Sequence, residues 1–197
     1  YIKSNPEWKY ILWDDNNILE LFDDFPLMLK IYNIEPTYNG KSDLLRYLIL
    51  YKYGGIYIDA DSVWINNKSF NNLLLEINDS KFFIAYENIS KNIVCGGIMG
   101  SSKKNNYVKN LIDHIENINN YKKKCNIHGA WRRIGPGLLS KLYLNNKEIT
   151  IFPSIYFYPK GWHNNERNIK SHLDTDLPIE SYTYQYGYTT NNLEKYF

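Results

Sequence analysis

The chain has 197 residues and a formal net charge of +2 at pH 7, with 44% hydrophobic and 22% charged residues. This length and balance predict one soluble globular domain over residues 1–197, since no internal repeat or linker divides the chain. The small net charge gives no electrostatic reason to expect nucleic acid or an anionic membrane as a partner. No run of about 18 apolar residues is present, so no membrane-spanning helix is predicted.

The first third of the chain alternates predicted strands and helices. In order, these are a strand over Lys9–Trp13, a helix over Asn16–Phe25 ended by Pro26, a turn over Pro36–Gly40, a helix over 43–53 and a strand over Ile56–Asp59. The second helix is predicted because apolar residues recur at positions 44, 45, 48 and 49. Ser42 is its expected N-cap, and Gly54-Gly55 is its expected stop.

The same alternation continues to the end of the chain. It comprises strands over Lys81–Glu87 and Ile93–Gly100, a helix over Tyr107–Ile118, a helix from Gly135 to Leu144, and strand-like segments over Glu148–Pro153, Ile155–Tyr158 and Ser181–Gly187. This order predicts an α/β fold with a mainly parallel or mixed sheet. Ligands of such sheets bind outside the carboxyl ends of strands, which is where Asp59 lies.

Two aspartates, Asp59 and Asp61, stand one residue apart at the end of a hydrophobic strand. Side chains at i and i+2 of an extended segment point the same way, so both carboxylates can face one ligand. Paired hard oxygen donors suit Mg²⁺ or Mn²⁺, which keep open positions for water and phosphate. The alternative is an exposed turn whose acids are incidental.

A second pair of charged residues, Asp43 and Arg46, lies on the preceding predicted helix. The spacing of three places them on one face, where they could bind hydroxyls and a phosphate. A surface ion pair of little energetic value is the alternative.

Residues 42–61, SDLLRYLILYKYGGIYIDAD, resemble the DXD sugar-binding region of glycosyltransferase family 32. The Asp, the Arg, the Gly-Gly pair and the D-x-D all match in order and spacing. That family includes capsular polysaccharide transferases and fungal α-mannosyltransferases. The likeness extends more weakly to NPEWKYILWDD over 5–15 and to IGPGLL over 134–139.

The resemblance implies a GT-A fold and metal-dependent transfer of a sugar from a UDP- or GDP-sugar to a glycan or other hydroxyl acceptor, with retention at the anomeric carbon. Asp59 and Asp61 would hold Mn²⁺ or Mg²⁺ and the donor, with Asp61 in direct metal contact. Asp43 and Arg46 would contact the donor sugar and its phosphate side. Gly96-Gly97 could bring backbone close to the donor, although a strand bulge or kink is the favoured interpretation.

This chain departs from the family pattern at both ends. The family's first strand, which helps to hold the nucleotide, is absent before Tyr1. Near the other end, Gln185 stands where relatives carry a His or Ser close to the metal, and would serve as a neutral oxygen ligand. Trp131, Trp162 and His163 could line an acceptor groove, although core packing is the favoured prediction for Trp131.

Two other functions fit parts of the pattern. The segment Ile56–Val63 also matches the D-x-D-x-[T/V] signature of haloacid-dehalogenase phosphatases, in which the first Asp is the nucleophile. A non-catalytic sugar-binding relative is the second alternative. The predicted compartment is the cytoplasm, as for the capsule enzymes, with the Golgi lumen as the alternative if an upstream anchor has been removed.

Overall fold

The computed structural model describes residues 3, 5–159 and 177–187. Its strands are β1 Gly55–Ile58, β2 Ser62–Trp64, β3 Phe82–Tyr86, β4 Val94–Ser101, β5 Thr150–Phe152 and β6 Thr183–Gln185. Its α-helices are α1 Pro26–Ile34, α2 Tyr38–Tyr53, α3 Phe70–Glu76, α4 Asn106–Glu116, α5 Tyr121–Cys125, α6 Ala130–Arg133, α7 Pro136–Tyr143 and α8 Ser154–Phe157. Within these described ranges, no helix combines the length and the apolar character needed to cross a bilayer.

A four-stranded sheet with the order β1-β4-β3-β5 forms the centre of the fold. Strand β4 pairs antiparallel with both β1 and β3, whereas β3 and β5 are parallel. The prediction of an α/β protein with a mixed sheet is confirmed, although antiparallel pairs outnumber parallel ones among the described strands. A separate two-stranded sheet joins β2 to β6 with Ser62 opposite Gln185.

Helix α2 begins five residues earlier than the apolar pattern predicted. Thr37 is its N-cap, and the Thr37 side chain accepts a hydrogen bond from the backbone N–H of Gly40. The predicted cap, Ser42, therefore lies inside the helix. The stop at Gly54 is confirmed, and its φ of +72° is a conformation that glycine adopts at little cost.

Four predicted elements are wrong. The turn over Pro36–Gly40 is wrong from position 38 onward, where the first turn of α2 replaces it. Lys9–Trp13 forms no strand, because it has no ladder partner among the described residues. The predicted helix over Asn16–Phe25 is reduced to a 3-10 turn at Leu19–Phe22, and Pro26 opens helix α1 instead of ending one. The segment over Ile155–Tyr158 is mostly the short helix α8, since proline at position 153 precedes its first turn.

Strand β1 is an edge of the sheet in the described part of the chain, and its outer side borders a cleft of about 650 Å³. The opposite wall of the cleft is formed by residues 8–15, which include the predicted strand over Lys9–Trp13. Tyr10, Ile11 and Leu12 are all exposed there. The cleft thus separates two extended segments that have strand-like sequences.

A buried ion pair connects Glu35, which precedes α2, to Arg133 in α6. Glu35 accepts hydrogen bonds from Arg133 and Tyr121 at Oε2 and from Thr37 at Oε1. The side chains of Glu35 and Arg133 are 0% and 4% exposed. Burial alone would raise the pKa of Glu35, but the hydrogen bonds from Thr37, Tyr121 and Arg133 outweigh it and lower the pKa.

We expect Glu35→Gln to lower the free energy of unfolding by about 3–5 kcal/mol, because it leaves the buried guanidinium of Arg133 without its counter-charge. Urea unfolding measures this loss. The matched control is Asp113→Asn, which removes the acid of the surface pair with Lys109 and should cost about 1 kcal/mol or less. Equal losses in the two variants would contradict the prediction.

Candidate functional site

The carboxylates of Asp59 and Asp61 converge on one side chain, as their spacing predicted. The Nε2 group of Gln185 donates to Asp59 Oδ2 at 3.1 Å and to Asp61 Oδ1 at 3.0 Å. Gln185 reaches this position because β6 pairs with β2, the strand that follows Asp61. Asp59 and Asp61 therefore meet a third predicted site residue, Gln185 from a distant part of the sequence, at the carboxyl end of β1.

Arg46 joins the two acidic pairs into one network. Its Nη1 lies 2.8 Å from Asp43 Oδ1, and its Nη2 lies 3.0 Å from Asp59 Oδ1. Both Asp43 and Arg46 are buried, so the alternative of a surface ion pair is wrong. The Nε atom of Arg46 is buried without a hydrogen-bond partner among the described residues.

Tyr57 and Ser42 complete the network, and the sequence analysis did not select either of them for the site. The Tyr57 hydroxyl donates to Asp59 Oδ1 at 3.0 Å and lies 2.9 Å from Ser42 Oγ. The Arg46 guanidinium stacks on the Tyr57 ring, with Cζ 5.0 Å from the ring centroid. Tyr57 stands two residues before Asp59 on the same face of β1, so the argument that paired Asp59 with Asp61 could have identified it.

Three glycines make room for these charged side chains. A Cβ at Gly96 would lie 2.6 Å from Arg46 Nη1, and one at Gly97 would lie 2.7 Å from Gln185 Oε1 and 3.0 Å from Asp59 Oδ2. A Cβ at Gly135 would lie 2.6 Å from Asp43 Oδ2. The register of β4 against β3 shifts between the Gly100–Phe83 and Cys95–Ala85 pairs, so the interpretation of Gly96-Gly97 as a strand bulge is confirmed. The close approach of Arg46 and Gln185 is a second reason for glycine at these positions.

Burial changes the proton affinity of the acids. Burial raises the pKa of Asp43 to about 6, although Arg46 opposes the rise. Burial likewise raises the pKa of Asp59, again against the effect of Arg46. For Arg46, burial would lower the pKa, but Asp59 and Asp43 outweigh it and raise the pKa, so the guanidinium stays protonated.

The other candidate residues lie elsewhere. Trp131 is 51% exposed, so the prediction that it packs in the core is wrong. Its Cα lies 3.2 Å from the position of a Cβ on Gly135, which places its backbone next to the glycine that contacts Asp43. Trp162 and His163 lie outside the described residues.

Comparison with known families supports the resemblance on which the site was predicted. Residues 1–82 match the family described as "Glycosyltransferase sugar-binding region containing DXD motif". This match includes Asp43, Arg46, Asp59 and Asp61, and the predicted resemblance is confirmed over these residues.

Curated proteins and a solved structure that are similar to this chain are named as mannosyltransferases or as a glycosyltransferase. Inositol phosphoceramide mannosyltransferase 3 of Schizosaccharomyces pombe is 43% identical over 61 residues, which are 30% of this chain and 17% of that protein. The initiation-specific α-1,6-mannosyltransferase of Saccharomyces cerevisiae is 30% identical over 86 residues, or 38% of this chain and 18% of that protein. The solved PaToxG glycosyltransferase matches 64% of this chain and 43% of its own chain, with a TM-score of 0.49 and 17% identity. The chain thus spans less than a fifth of either mannosyltransferase.

The raised pKa of Asp43 predicts a loss of stability with rising pH in metal-free buffer. Between about pH 4 and pH 6 the unfolded chain releases this proton while the folded chain keeps it, so the free energy of unfolding falls as the pH rises. A difference between 3.8 and about 6 corresponds to about 3 kcal/mol. We expect Asp43→Asn to lack this fall, so that its stability relative to the unmodified chain improves by about that amount from pH 4 to pH 7.

Urea unfolding at a series of pH values, with a chelator present, measures the effect. Asp79→Asn, which replaces an exposed carboxylate, is the control and should follow the pH dependence of the unmodified chain. A constant difference between Asp43→Asn and the unmodified chain across this range would refute the prediction.

Proposed function

We propose that this protein is a glycosyltransferase that uses a divalent cation at Asp59 and Asp61 and a nucleoside-diphosphate sugar as donor. The observation that carries the proposal is the convergence of Asp59, Asp61 and Gln185, with Asp59 also tied to Arg46. The family match over residues 1–82 and the mannosyltransferase relatives support the same reaction. A GT-A fold and retention at the anomeric carbon remain part of the proposal.

The donor atoms present suit Mg²⁺ or Mn²⁺. In the described part of the chain, no group of three or more His, Cys, Asp or Glu side chains could hold a metal ion. A cation at the D-x-D pair would therefore use the two carboxylates, an oxygen of Gln185, and oxygens of phosphate or water, which is the ligand set that Mg²⁺ prefers.

The amide oxygen of Gln185 is the neutral protein ligand proposed for the cation. Its Oε1 is buried without a hydrogen-bond partner among the described residues, while its Nε2 bridges the two carboxylates. A half-turn of the amide exchanges the two atoms without changing the shape of the side chain and would direct Oε1 at the position between the acids. When bound there, the cation would supply Lewis-acid stabilisation of the departing diphosphate.

The roles proposed for the chain's own residues follow from their positions. Asp61 and Asp59 would hold the cation, and Gln185 would complete its protein ligands. Arg46 favours the ionised form of Asp59 and orients the side chain, because it forms an ion pair with Oδ1 and leaves Oδ2 toward Gln185. Asp43 would accept hydrogen bonds from donor-sugar hydroxyls, as the family resemblance implies.

Mannose is the proposed sugar, because the similar proteins are named as mannosyltransferases. A hydroxyl of a glycan or lipid headgroup is the proposed acceptor. We also propose the luminal alternative for the compartment over the cytoplasm, since these relatives are fungal proteins of the kind that the resemblance assigns to the Golgi.

The phosphatase alternative is less compatible with the site. Its nucleophilic aspartate would be Asp59, but both oxygens of Asp59 accept hydrogen bonds from other side chains: Arg46, Tyr57 and Gln185. In addition, β1 pairs antiparallel with β4 and forms an edge of the described sheet. A non-catalytic sugar-binding relative would have the same site geometry and would differ only in lacking catalytic turnover.

We expect Asp61→Asn to lower Mn²⁺-dependent hydrolysis of the donor by at least 100-fold, because it removes a charged ligand of the cation. The assay measures release of free sugar and nucleoside diphosphate from GDP-mannose, UDP-glucose, UDP-galactose and UDP-N-acetylglucosamine. Asp79→Asn, an exposed acid, is the control and should retain activity.

Three results would overturn the proposal. If no donor binds with Mn²⁺ present and Asp61→Asn changes nothing, the transferase assignment fails. Binding of a donor without hydrolysis or transfer identifies the non-catalytic relative. Release of phosphate from a phosphomonoester such as p-nitrophenyl phosphate supports the phosphatase.

We further propose that the cleft beside β1 receives an extended strand that completes the sheet. The two walls support this proposal, because β1 has no partner on its outer side in the described sheet and residues 9–13 have a strand-like sequence. The strand that the family resemblance places before Tyr1 is the proposed occupant.

Hydrogen exchange tests this occupant. We expect the amides of β1 and of residues 9–13 to exchange at least tenfold more slowly in a form of the protein that carries preceding residues than in the 197-residue chain, because ladder hydrogen bonds protect amides. The amides of β4 serve as the control, since β4 is paired on both sides in the 197-residue chain. Unchanged exchange at both walls would contradict the proposal.

A further inference from the structure

Basic residues are concentrated in one continuous part of the sequence. Residues 117–147 contain no Asp or Glu but include seven of the chain's 23 lysines and arginines. The rest of the chain carries all 21 acids with the remaining sixteen basic residues, so its formal charge is negative. The net charge of +2 for the whole chain conceals this segregation.

Four of these cations lie on the surface without an acidic partner. Lys122, Lys123 and Lys124 in α5 and Arg132 in α6 are exposed, and none of them forms an ion pair within the residues that the structure describes. Neighbouring Arg133 differs, because it is buried against Glu35. The exposed charges therefore remain available to an anionic partner.

Two large apolar side chains in the same stretch of the sequence are also exposed. Ile127 is 58% exposed and Trp131 is 51% exposed. Arg133 holds this part of the chain together, because its Nε donates to the carbonyl of His128 and its guanidinium lies 4.8 Å from the Tyr121 ring centroid. Exposed tryptophan and aliphatic side chains beside lysines are typical of surfaces that enter the interfacial layer of a membrane.

The same surface lies next to the candidate active site. The Trp131 backbone and the Asp43 carboxylate both border Gly135. A membrane bound at Trp131 would therefore hold the site close to the lipid headgroups.

We propose that Lys122, Lys123, Lys124, Ile127, Trp131 and Arg132 form a docking surface for an anionic lipid membrane. Anionic headgroups complement its unpaired cations, and Ile127 and Trp131 supply apolar area. The presentation of a lipid-linked acceptor to the site rests on the proposed function, whereas membrane binding itself does not.

Co-sedimentation with vesicles tests the surface. The chain should bind vesicles of 70% phosphatidylcholine and 30% phosphatidylserine in 0.1 M salt, and at least tenfold more weakly to pure phosphatidylcholine. The triple variant Lys122→Ser, Lys123→Ser and Lys124→Ser should lower the partition coefficient at least tenfold, because each lysine contributes separately to the attraction. Trp131→Ala should lower it several-fold.

The matched control removes the same charge elsewhere, through Lys30→Ser, Lys103→Ser and Lys104→Ser, all of which are exposed. It should bind the anionic vesicles within twofold of the unmodified chain. An equal loss in the two triple variants, or equal binding to both vesicle types, overturns the proposal. Tighter binding to a 20-base-pair DNA duplex than to the anionic vesicles also overturns it.

The vesicle assay contains neither donor nor metal. A negative result therefore contradicts the docking surface without bearing on the proposed sugar transfer. If the proposal is correct, the lysine variant should hydrolyse soluble donor at the rate of the unmodified chain while losing vesicle binding. Loss of hydrolysis together with vesicle binding would indicate a general structural defect and count against a docking role.

Discussion

The candidate site depends on one buried guanidinium. Arg46 forms ion pairs with Asp43 and Asp59, and these place a helix and a strand end in a fixed relation. Without this cation, two carboxylates would be buried close together with no counter-charge, which is costly in a protein interior. Burial raises the pKa of both acids, and the charge of Arg46 opposes this rise in each case.

Around this cation, the two oxygens of Asp59 have different partners. Asp59 uses Oδ1 for Arg46 and Tyr57, while Oδ2 faces Gln185 together with an oxygen of Asp61. The two oxygens of this carboxylate therefore have different roles. One oxygen orients the side chain, and in the proposed function the other would face a cation that neutralises a departing diphosphate.

Three glycines lie against the charged network. A Cβ added at Gly96, Gly97 or Gly135 would lie 2.6–2.7 Å from a charged or amide group of the site, so none of these positions has room for a side chain while that group stays in place. Gly135 also adjoins Trp131, so the wall of the site continues directly into the exposed basic segment. Donor chemistry and membrane attachment would then occupy adjacent parts of one surface.

Local geometry made part of this protein predictable. Asp59 with Asp61, and Asp43 with Arg46, were found because spacings of two on a strand and three on a helix determine which side chains share a face. Helix α2 follows from the spacing of its apolar residues, its stop from the glycine at position 54, and the strands β1, β3 and β4 from short apolar runs. Thr37 was missed as the N-cap because the polar first turn of α2 carries no apolar pattern.

The sequence by itself determined which acids and which helix–strand unit form the candidate site, since these depend on contacts within about 20 residues. Only the tertiary structure decided that the Gln185 amide joins both aspartates, that Gly135 adjoins Asp43 and that Glu35 pairs with Arg133. These contacts join residues about 90 or more positions apart, and strand pairing and helix packing, which no local period encodes, bring them together. The same reason left Lys9–Trp13 without a strand, because a β-strand exists only where a partner supplies its hydrogen bonds.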